Sequence, residues 1–165
     1  MKIKLISILI LSIISMSFKD PIITWGTNQH GLSIALTGSD ENIEVHLKNE
    51  TNNPLEIWTH VQSHEVHYDW FHLIVKDEKN NEYKIELIGS REKSAPISQR
   101  LNPQEDLIIE LSLIEWINKP INQKKYPKLK LTGKCQVSII YEVKKPIENK
   151  WHGKIEVINH PITIN

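Results

Sequence analysis

Apolar and polar residues alternate at every second position over several stretches of this chain. The apolar positions of three such stretches are Ile43, Val45 and Leu47; Tyr83, Ile85 and Leu87; and Leu107, Ile109 and Leu111. Two later stretches place theirs at Cys135, Val137, Ile139 and Tyr141, and at Ile155 and Val157. Successive side chains of a β-strand point to opposite faces, so this period predicts strands with one apolar face directed inward.

Residues typical of turns separate these stretches. Pro54, the pair Asn80–Asn81, the pair Asn102–Pro103 and Gly133 all favour chain reversal. The strands predicted in this way cover about 22–25, 31–37, 42–49, 55–61, 69–76, 82–88, 106–113, 135–143 and 152–164. Pro161 is expected to split or bulge the last strand. The pattern predicts an all-β fold, an antiparallel β-sandwich of seven to nine strands, with at most one short helix near 112–118.

The first 17 residues have the composition of a secretory signal peptide. Lys2 and Lys4 precede an apolar run over 5–16, and Ser15 and Ser17 are small residues at a suitable cleavage spacing. The run is short for a permanent membrane helix, although an uncleaved anchor is the alternative. We therefore expect residues 18–165 to form one exported domain, secreted or periplasmic, with no stable membrane insertion after cleavage.

Charge and cysteine content narrow the classes of function. Loss of Lys2 and Lys4 with the signal leaves 18 basic residues against 20 acidic ones, a net charge near −2. Nucleic acid is therefore an improbable partner, because its phosphates are bound by an excess of basic residues. Cys135 is the only cysteine, so the domain cannot contain an internal disulfide.

Several motifs resemble a known family of immunoglobulin-like modules. The first pairs Ile43-x-Val45-x-Leu47-x-Asn49-x-Thr51 with Pro54-Leu55-x-Ile57. The others are Tyr68-Asp69-x-Phe71-x-Leu73-x-Val75-x-Asp77, Leu101-x-Pro103-x-Glu105, Gly133-x-Cys135-x-Val137 and Trp151-x-Gly153-x-Ile155. Their order over about 40–164 is similar to that of the bacterial intracellular proteinase inhibitor family. The resemblance implies an immunoglobulin-like β-sandwich and makes inhibition one hypothesis, but no inhibitory residue is carried over from it.

Aromatic residues and histidines on two neighbouring strands suggest a surface that binds a protein partner. Its candidate members are Trp58, His60, Tyr68, Trp70 and His72, with the 89–106 connection nearby. Trp58 and Trp70 are expected on the faces opposite Ile57 and Phe71, and exposed aromatic side chains suit a protein or carbohydrate partner. The alternative is that Trp58, Trp70 and Trp151 cover the edges of the core, since tryptophan is rarely left fully exposed.

Four histidines within thirteen residues provide a second hypothesis, a periplasmic metal-binding protein. His60, His64, His67 and His72 could hold zinc or copper through neutral imidazole nitrogens. His64-Glu65-Val66-His67 is one residue short of the helical zinc motif that needs two histidines four apart. Metal binding is therefore kept as the alternative, and the leading prediction includes no cofactor.

Enzymatic activity ranks last among the hypotheses. Cys135 lies on the apolar face of its predicted strand, which favours a small buried side chain over a nucleophile. The glutamates fall on the polar sides of strands, where solvation explains them. The sequence thus predicts an exported, non-catalytic module that binds another protein, with an inhibitor-like or accessory role as one hypothesis, and it leaves the oligomeric state open.

Overall fold

The computed structural model describes residues 23–62, 66–88, 95–145 and 149–165. The strands are β1 Ile23–Gln29, β2 Leu32–Thr37, β3 Asn42–Asn49, β4 Leu55–Gln62, β5 Val66–His67, β6 Phe71–Lys76, β7 Glu82–Ile85, β8 Pro96–Leu101, β9 Asp106–Ser112, β10 Gly133–Val143 and β11 Gly153–Ile164. The helices are α1 Leu113–Asn118 and α2 Pro120–Lys125. The predicted signal peptide, residues 1–17, lies outside the described residues.

All strand pairs in the described part of the chain are antiparallel. They form a four-stranded sheet in the order β1-β2-β3-β9, a second in the order β11-β10-β6-β7, and a three-stranded sheet in the order β5-β4-β8. The prediction of a mostly β, antiparallel fold is therefore confirmed. We refer to these as the first, second and third sheets.

The inward faces are those that the two-residue period predicts. On β3 the buried residues are Ile43, Val45 and Leu47, and on β10 they are Cys135, Val137, Ile139 and Tyr141. These residues belong to one cluster of buried side chains to which all three sheets and α1 contribute. Burial of that many aliphatic side chains, each contributing on the order of 2 kcal/mol, is the main source of stability.

Strand β1 pairs with β2 in the first sheet and also lies against β11 of the second. An ideal Cβ on Gly26 would come within 2.2 Å of the carbonyl oxygen of Glu156, so only glycine permits this approach. The side chains of Thr27 and Gln29 accept hydrogen bonds from the backbone N–H groups of Glu156 and Lys154, at 2.8 and 2.7 Å. We call this contact the β1–β11 junction; it connects the first sheet to the edge of the second.

Buried His160 completes the junction at its other end. Its Nδ1 lies 2.8 Å from the hydroxyl of Thr24, and its Nε2 lies 2.7 Å from the carbonyl oxygen of Gly38. A carbonyl can only accept, so Nε2 donates to Gly38 and the neutral ring accepts from Thr24 at Nδ1.

Strand β11 has a bulge at Ile158–Asn159, opposite the segment Val137–Ile139 of β10. The bulge lies two residues before Pro161, the residue that was expected to cause it.

The strand and helix counts from the sequence are wrong. The described residues contain eleven strands, not seven to nine, and two short helices where at most one was predicted. Strand β8 lies inside the 89–106 segment that we expected to be a connection, and it forms because β4 pairs with it from Leu55 to Val61. Helix α1 matches the predicted 112–118 segment, whereas α2 begins at Pro120. Proline is well tolerated in the first turn of a helix, where its missing N–H has no partner to lose.

Helix α2 packs beside β7 through buried Asn122. The amide of Asn122 donates to the carbonyl oxygens of Glu86 and Trp116 and accepts from the N–H of Glu86. The hydroxyl of Tyr126 accepts from the N–H of Lys84. Backbone groups along this edge of the second sheet are thus satisfied by side chains of α2 and of Tyr126, the residue that follows it.

Gly26→Ala is expected to destabilise the protein by about 2 kcal/mol, because its methyl group would meet backbone at the β1–β11 junction and force the strands apart. The measurement is chemical denaturation followed by circular dichroism. The control is Asn52→Ala, an exposed position in the turn before β4, where a change within about 0.5 kcal/mol is expected. Equal stability of the two variants would show that the junction does not depend on close approach at Gly26.

Candidate functional site

The structure brings together two of the predicted surface residues, Trp58 and Trp70. Their rings are stacked, with centroids 5.5 Å apart and planes 15° apart. The ammonium group of Lys150 lies 4.6 Å from the centroid of the Trp58 ring and 3.7 Å from a carboxylate oxygen of Glu56. Trp70 is half-buried, whereas Trp58 is buried.

Trp58 is tied to the core through its backbone. Its carbonyl oxygen accepts a 2.7 Å hydrogen bond from the hydroxyl of Tyr141, which stacks on Trp151. Burial raises the pKa of Tyr141 well above its ordinary value, so the hydroxyl remains a donor. The indole N–H of Trp58 has no hydrogen-bond partner among the described residues. The burial of Trp58 and Trp151 agrees with the alternative that these tryptophans cover the core.

The other three residues of the predicted surface differ in exposure. Tyr68 is half-buried with its ring edge-on to Phe71 and Trp116, and burial raises its pKa. His60 is half-buried and its Nδ1 lies 3.0 Å from the hydroxyl of Thr59. His72 is exposed, with Nε2 at 3.7 Å from a carboxylate oxygen of Glu142. His72 is thus the most accessible member of the predicted set.

The histidines of the metal hypothesis are distributed over different parts of the fold. His60 lies on β4 of the third sheet and His72 on β6 of the second. His64 and the side chain of His67 lie outside the described residues. Within the described ranges, no three His, Cys, Asp or Glu side chains group closely enough to hold a metal ion. The zinc or copper alternative stays a prediction.

Cys135 is buried, as the alternation predicted. Burial raises the pKa of its thiol, and the negative charges of Asp77 and Glu78 raise it further. A thiol in this environment stays protonated and is a poor nucleophile.

A different set of apolar side chains is exposed on the outer face of the first sheet. The register aligns Trp25, Ala35, His46 and Ile108 in one row across β1, β2, β3 and β9. Trp25 is 65% exposed and Ile108 50%, while Ala35 between them is buried. Ala35 is the smallest member of the row and is covered by its surroundings, so the exposed apolar surface of the row comes from Trp25 and Ile108.

The adjacent row of the same face combines one apolar residue with acidic ones. It aligns Ile23, Thr37, Glu44 and Glu110, and Ile23 is 49% exposed. Glu44 and Glu110 are directly opposite one another across β3 and β9. Together with Glu115 they line a cleft of about 500 Å³ at the end of the face. We call the two rows with this cleft the Trp25 face.

His46 contacts both of its neighbouring rows. Its Nε2 lies 3.1 Å from the hydroxyl of Thr37 and 3.4 Å from a carboxylate oxygen of Glu44. Its Nδ1 lies 2.9 Å from a carboxylate oxygen of Asp106, which belongs to the row on the other side. The hydroxyl of Thr37 donates to Glu44 at 2.9 Å. These contacts hold the Glu44 carboxylate beside the Trp25 row.

The β1–β11 junction determines which side of β1 faces solvent. Thr24 bonds to His160 on one side of Trp25, and Gly26 touches β11 on the other. Because neighbouring side chains of a strand alternate, Trp25 is directed away from β11 and onto the outer face. The exposure of Trp25 therefore follows from the packing of its two neighbours.

Sequence reasoning missed the Trp25 face, although part of its signal was present. Ile108 occupies an outward position of the predicted 106–113 strand, and Trp25 falls in the predicted 22–25 strand. Apolar residues at the outward positions of two strands are the pattern that would have indicated this exposed face. That the two residues share one row depends on strand order, which alternation does not specify.

No protein-family model matches this chain, and no curated protein is similar to it at a significant level. Among the described residues, no helix has the length and apolar character required to cross a bilayer.

Stability is expected to fall as the pH drops below about 6.5, the ordinary value for histidine, because burial lowers the pKa of His160. The carbonyl of Gly38 opposes this shift only in part. At a pH between the lowered pKa of native His160 and 6.5, this histidine binds a proton in the unfolded chain but not in the native protein. The difference in proton binding favours unfolding. Above pH 6.5 the His160 ring is neutral in both the native and the unfolded state, so its full contribution to stability is present.

Denaturation of the native protein and His160→Gln between pH 4.5 and 8 measures this dependence. The variant should have a smaller decrease of unfolding free energy below pH 6.5, whatever its absolute stability. His72→Gln, at an exposed position, serves as the control and should keep the decrease. An identical pH profile for native protein and His160→Gln would contradict the prediction.

Proposed function

We propose that this chain is an exported, non-catalytic module that binds another protein through an immunoglobulin-like β-sandwich. The antiparallel sheets around a common core and the motif order over 40–164 support the sandwich. The composition of residues 1–17 supports export. An inhibitor-like or accessory role falls within this proposal.

The observation that carries the proposal is the exposure of Trp25 and Ile108 in one row on the outer face of the first sheet. Tryptophan is among the residues that contribute most to protein interfaces, and it is rarely left exposed without a role. Ile23 lies two residues from Trp25 on the same face of β1 and is also exposed, and contiguous apolar surface typically marks a site of interaction. The hydrogen-bonded sheet beneath these residues fixes the backbone before binding, which lowers the entropic cost.

Charge on the Trp25 face favours a different protein over a second copy of this chain. Glu44 and Glu110 are exposed on the face, and Asp106 is exposed in the next row, where Lys48 is the opposite charge. Two copies packed face to face would bring like charges together in a partly desolvated contact. Such an arrangement costs several kcal/mol in interfaces.

Trp25→Ala is expected to weaken binding of the partner by at least about 2 kcal/mol, or about thirtyfold in Kd, because it removes the largest exposed apolar side chain of the face. The partner is obtained by cross-linking to the exported protein in the native envelope and is identified by mass spectrometry. It is then purified, and its Kd is measured by calorimetry.

The matched control is Ile158→Ala, which removes an exposed apolar side chain on β11 outside the Trp25 face. It should leave Kd unchanged within about twofold. Circular dichroism melts check that both variants remain folded. Equal Kd values for the two variants, or capture of this chain alone, would contradict the proposal.

A further inference from the structure

We infer that His30 and His152 form a surface site for a divalent transition-metal ion of the zinc class. The rings of these two exposed residues lie beside each other, with centroids 5.8 Å apart and planes 39° apart. Neither residue belongs to the histidine set that the sequence suggested for metal binding. The inference does not depend on the proposed function.

His30 occupies a tight turn that does not itself require an imidazole. The turn joins β1 to β2 through two residues, His30 and Gly31, with φ angles of 50° and 78°. Asparagine and glycine are the usual residues where both central φ angles of a hairpin turn are positive. The imidazole is therefore available for another role, and asparagine is a suitable replacement in a variant.

Hydrogen bonds fix the two backbone segments that carry these histidines. Gln29 precedes the first histidine, and its carbonyl oxygen accepts a 2.9 Å bond from the indole N–H of Trp151, which precedes the second. Its Oε1 accepts a 2.7 Å bond from the N–H of Lys154. A Cβ on Gly153 would come within 2.6 Å of that Oε1, so glycine permits the approach. The two ligands are thus neighbours before any ion binds, which lowers the cost of binding.

The spacing of the rings suits two ligands of one tetrahedral ion. Zn–N bonds of about 2.0 Å at a tetrahedral angle place the centroids of two bound imidazole rings about 5 Å apart. Because both side chains are exposed, rotation of the rings can close the difference from 5.8 Å. In the described ranges no third His, Cys, Asp or Glu completes a cluster, so water would fill the remaining positions. Imidazole nitrogens suit zinc, copper and nickel, whereas magnesium prefers oxygen ligands.

A bound ion would connect the β1–β2 turn to the start of β11. This connection lies at the Gln29–Lys154 end of the β1–β11 junction, opposite the end that His160 completes. An ion that binds the native protein more tightly than the unfolded chain raises stability, by an amount that grows with the ratio of ion concentration to Kd.

The test is calorimetric titration of the exported protein with Zn²⁺ alone, using the native sequence, His30→Asn, His152→Gln and the double variant. His72→Gln, which removes an exposed histidine on β6, is the matched control. The native protein and the control should bind Zn²⁺ with the same Kd. Either single substitution in the pair should weaken binding about a hundredfold, because the second imidazole of a pair binds at a high effective concentration.

A second readout is thermal stability. At about ten times the native Kd, Zn²⁺ should raise the Tm of the native protein and of His72→Gln by about 3–6 °C. His30→Asn, His152→Gln and the double variant should show no rise, since loss of either ligand removes the bridge. Excess chelator should reverse the rise, and Mg²⁺ should not produce it. Circular dichroism without metal checks that every variant is folded.

Several outcomes would overturn the inference. If the native protein binds no Zn²⁺, or if His30→Asn or His152→Gln keeps the native Kd, the pair is not a metal site. Loss of binding in His72→Gln alone would assign the metal to the histidines suggested by the sequence and would overturn the inference as well. Each of these outcomes leaves the proposed function intact, because that proposal is tested by Trp25→Ala.

Discussion

The close approach of β1 to β11 is the constraint on which the rest of the structure depends. The first sheet is tied to the second at this edge because Gly26 lets two backbones meet and because Thr27 and Gln29 satisfy N–H groups of β11. His160 adds a buried link between Thr24 and the turn at Gly38. Each of these contacts uses a residue adjacent to Trp25 or within four positions of it. The same packing that joins the sheets therefore also directs the tryptophan to solvent.

Side chains cover both edges of the second sheet. The β11 edge is covered by side chains of β1, and the β7 edge is covered by Asn122 of α2 and by Tyr126, which follows that helix. Unpaired strand edges promote aggregation, so covering them is a common feature of stable β proteins. At the β7 edge, Lys125 also forms an ion pair with Glu86. This contact holds the pKa of the Lys125 ammonium group above its ordinary value.

The sequence predicted the inward faces because burial follows the two-residue period wherever one face of a strand is apolar. Ile43, Val45 and Leu47 are buried for this reason. Strand β8 was missed because Ser98, Gln99 and Arg100 carry no apolar signal and become a strand by pairing with β4. Helix α2 was missed because the predicted helix stops at residue 118, although a proline at position 120 suits the first turn of a new helix.

The candidate site was less predictable than the fold, for a related reason. Alternation places Trp58 opposite Ile57, but it does not reveal that Trp70 and Lys150 cover that second side. Nor does it reveal that Ile108 and Trp25 share one row, because their strands are separated by two others. Coverage and strand order are properties of tertiary packing, whereas the two-residue period is local.

The opposed glutamates Glu44 and Glu110 are a local cost to the stability of the Trp25 face. Natural sequences satisfy local rules of stability almost everywhere, and departures from those rules concentrate where a protein functions. Here two departures coincide, a large exposed indole and a like-charge pair one row away, although each could be removed by a single conservative substitution. Both departures lie on the face that the β1–β11 junction directs to solvent. Because exposed carboxylates are hydrated, covering this face is favourable only where apolar contact with Trp25 and complementary charge outweigh the water that is displaced.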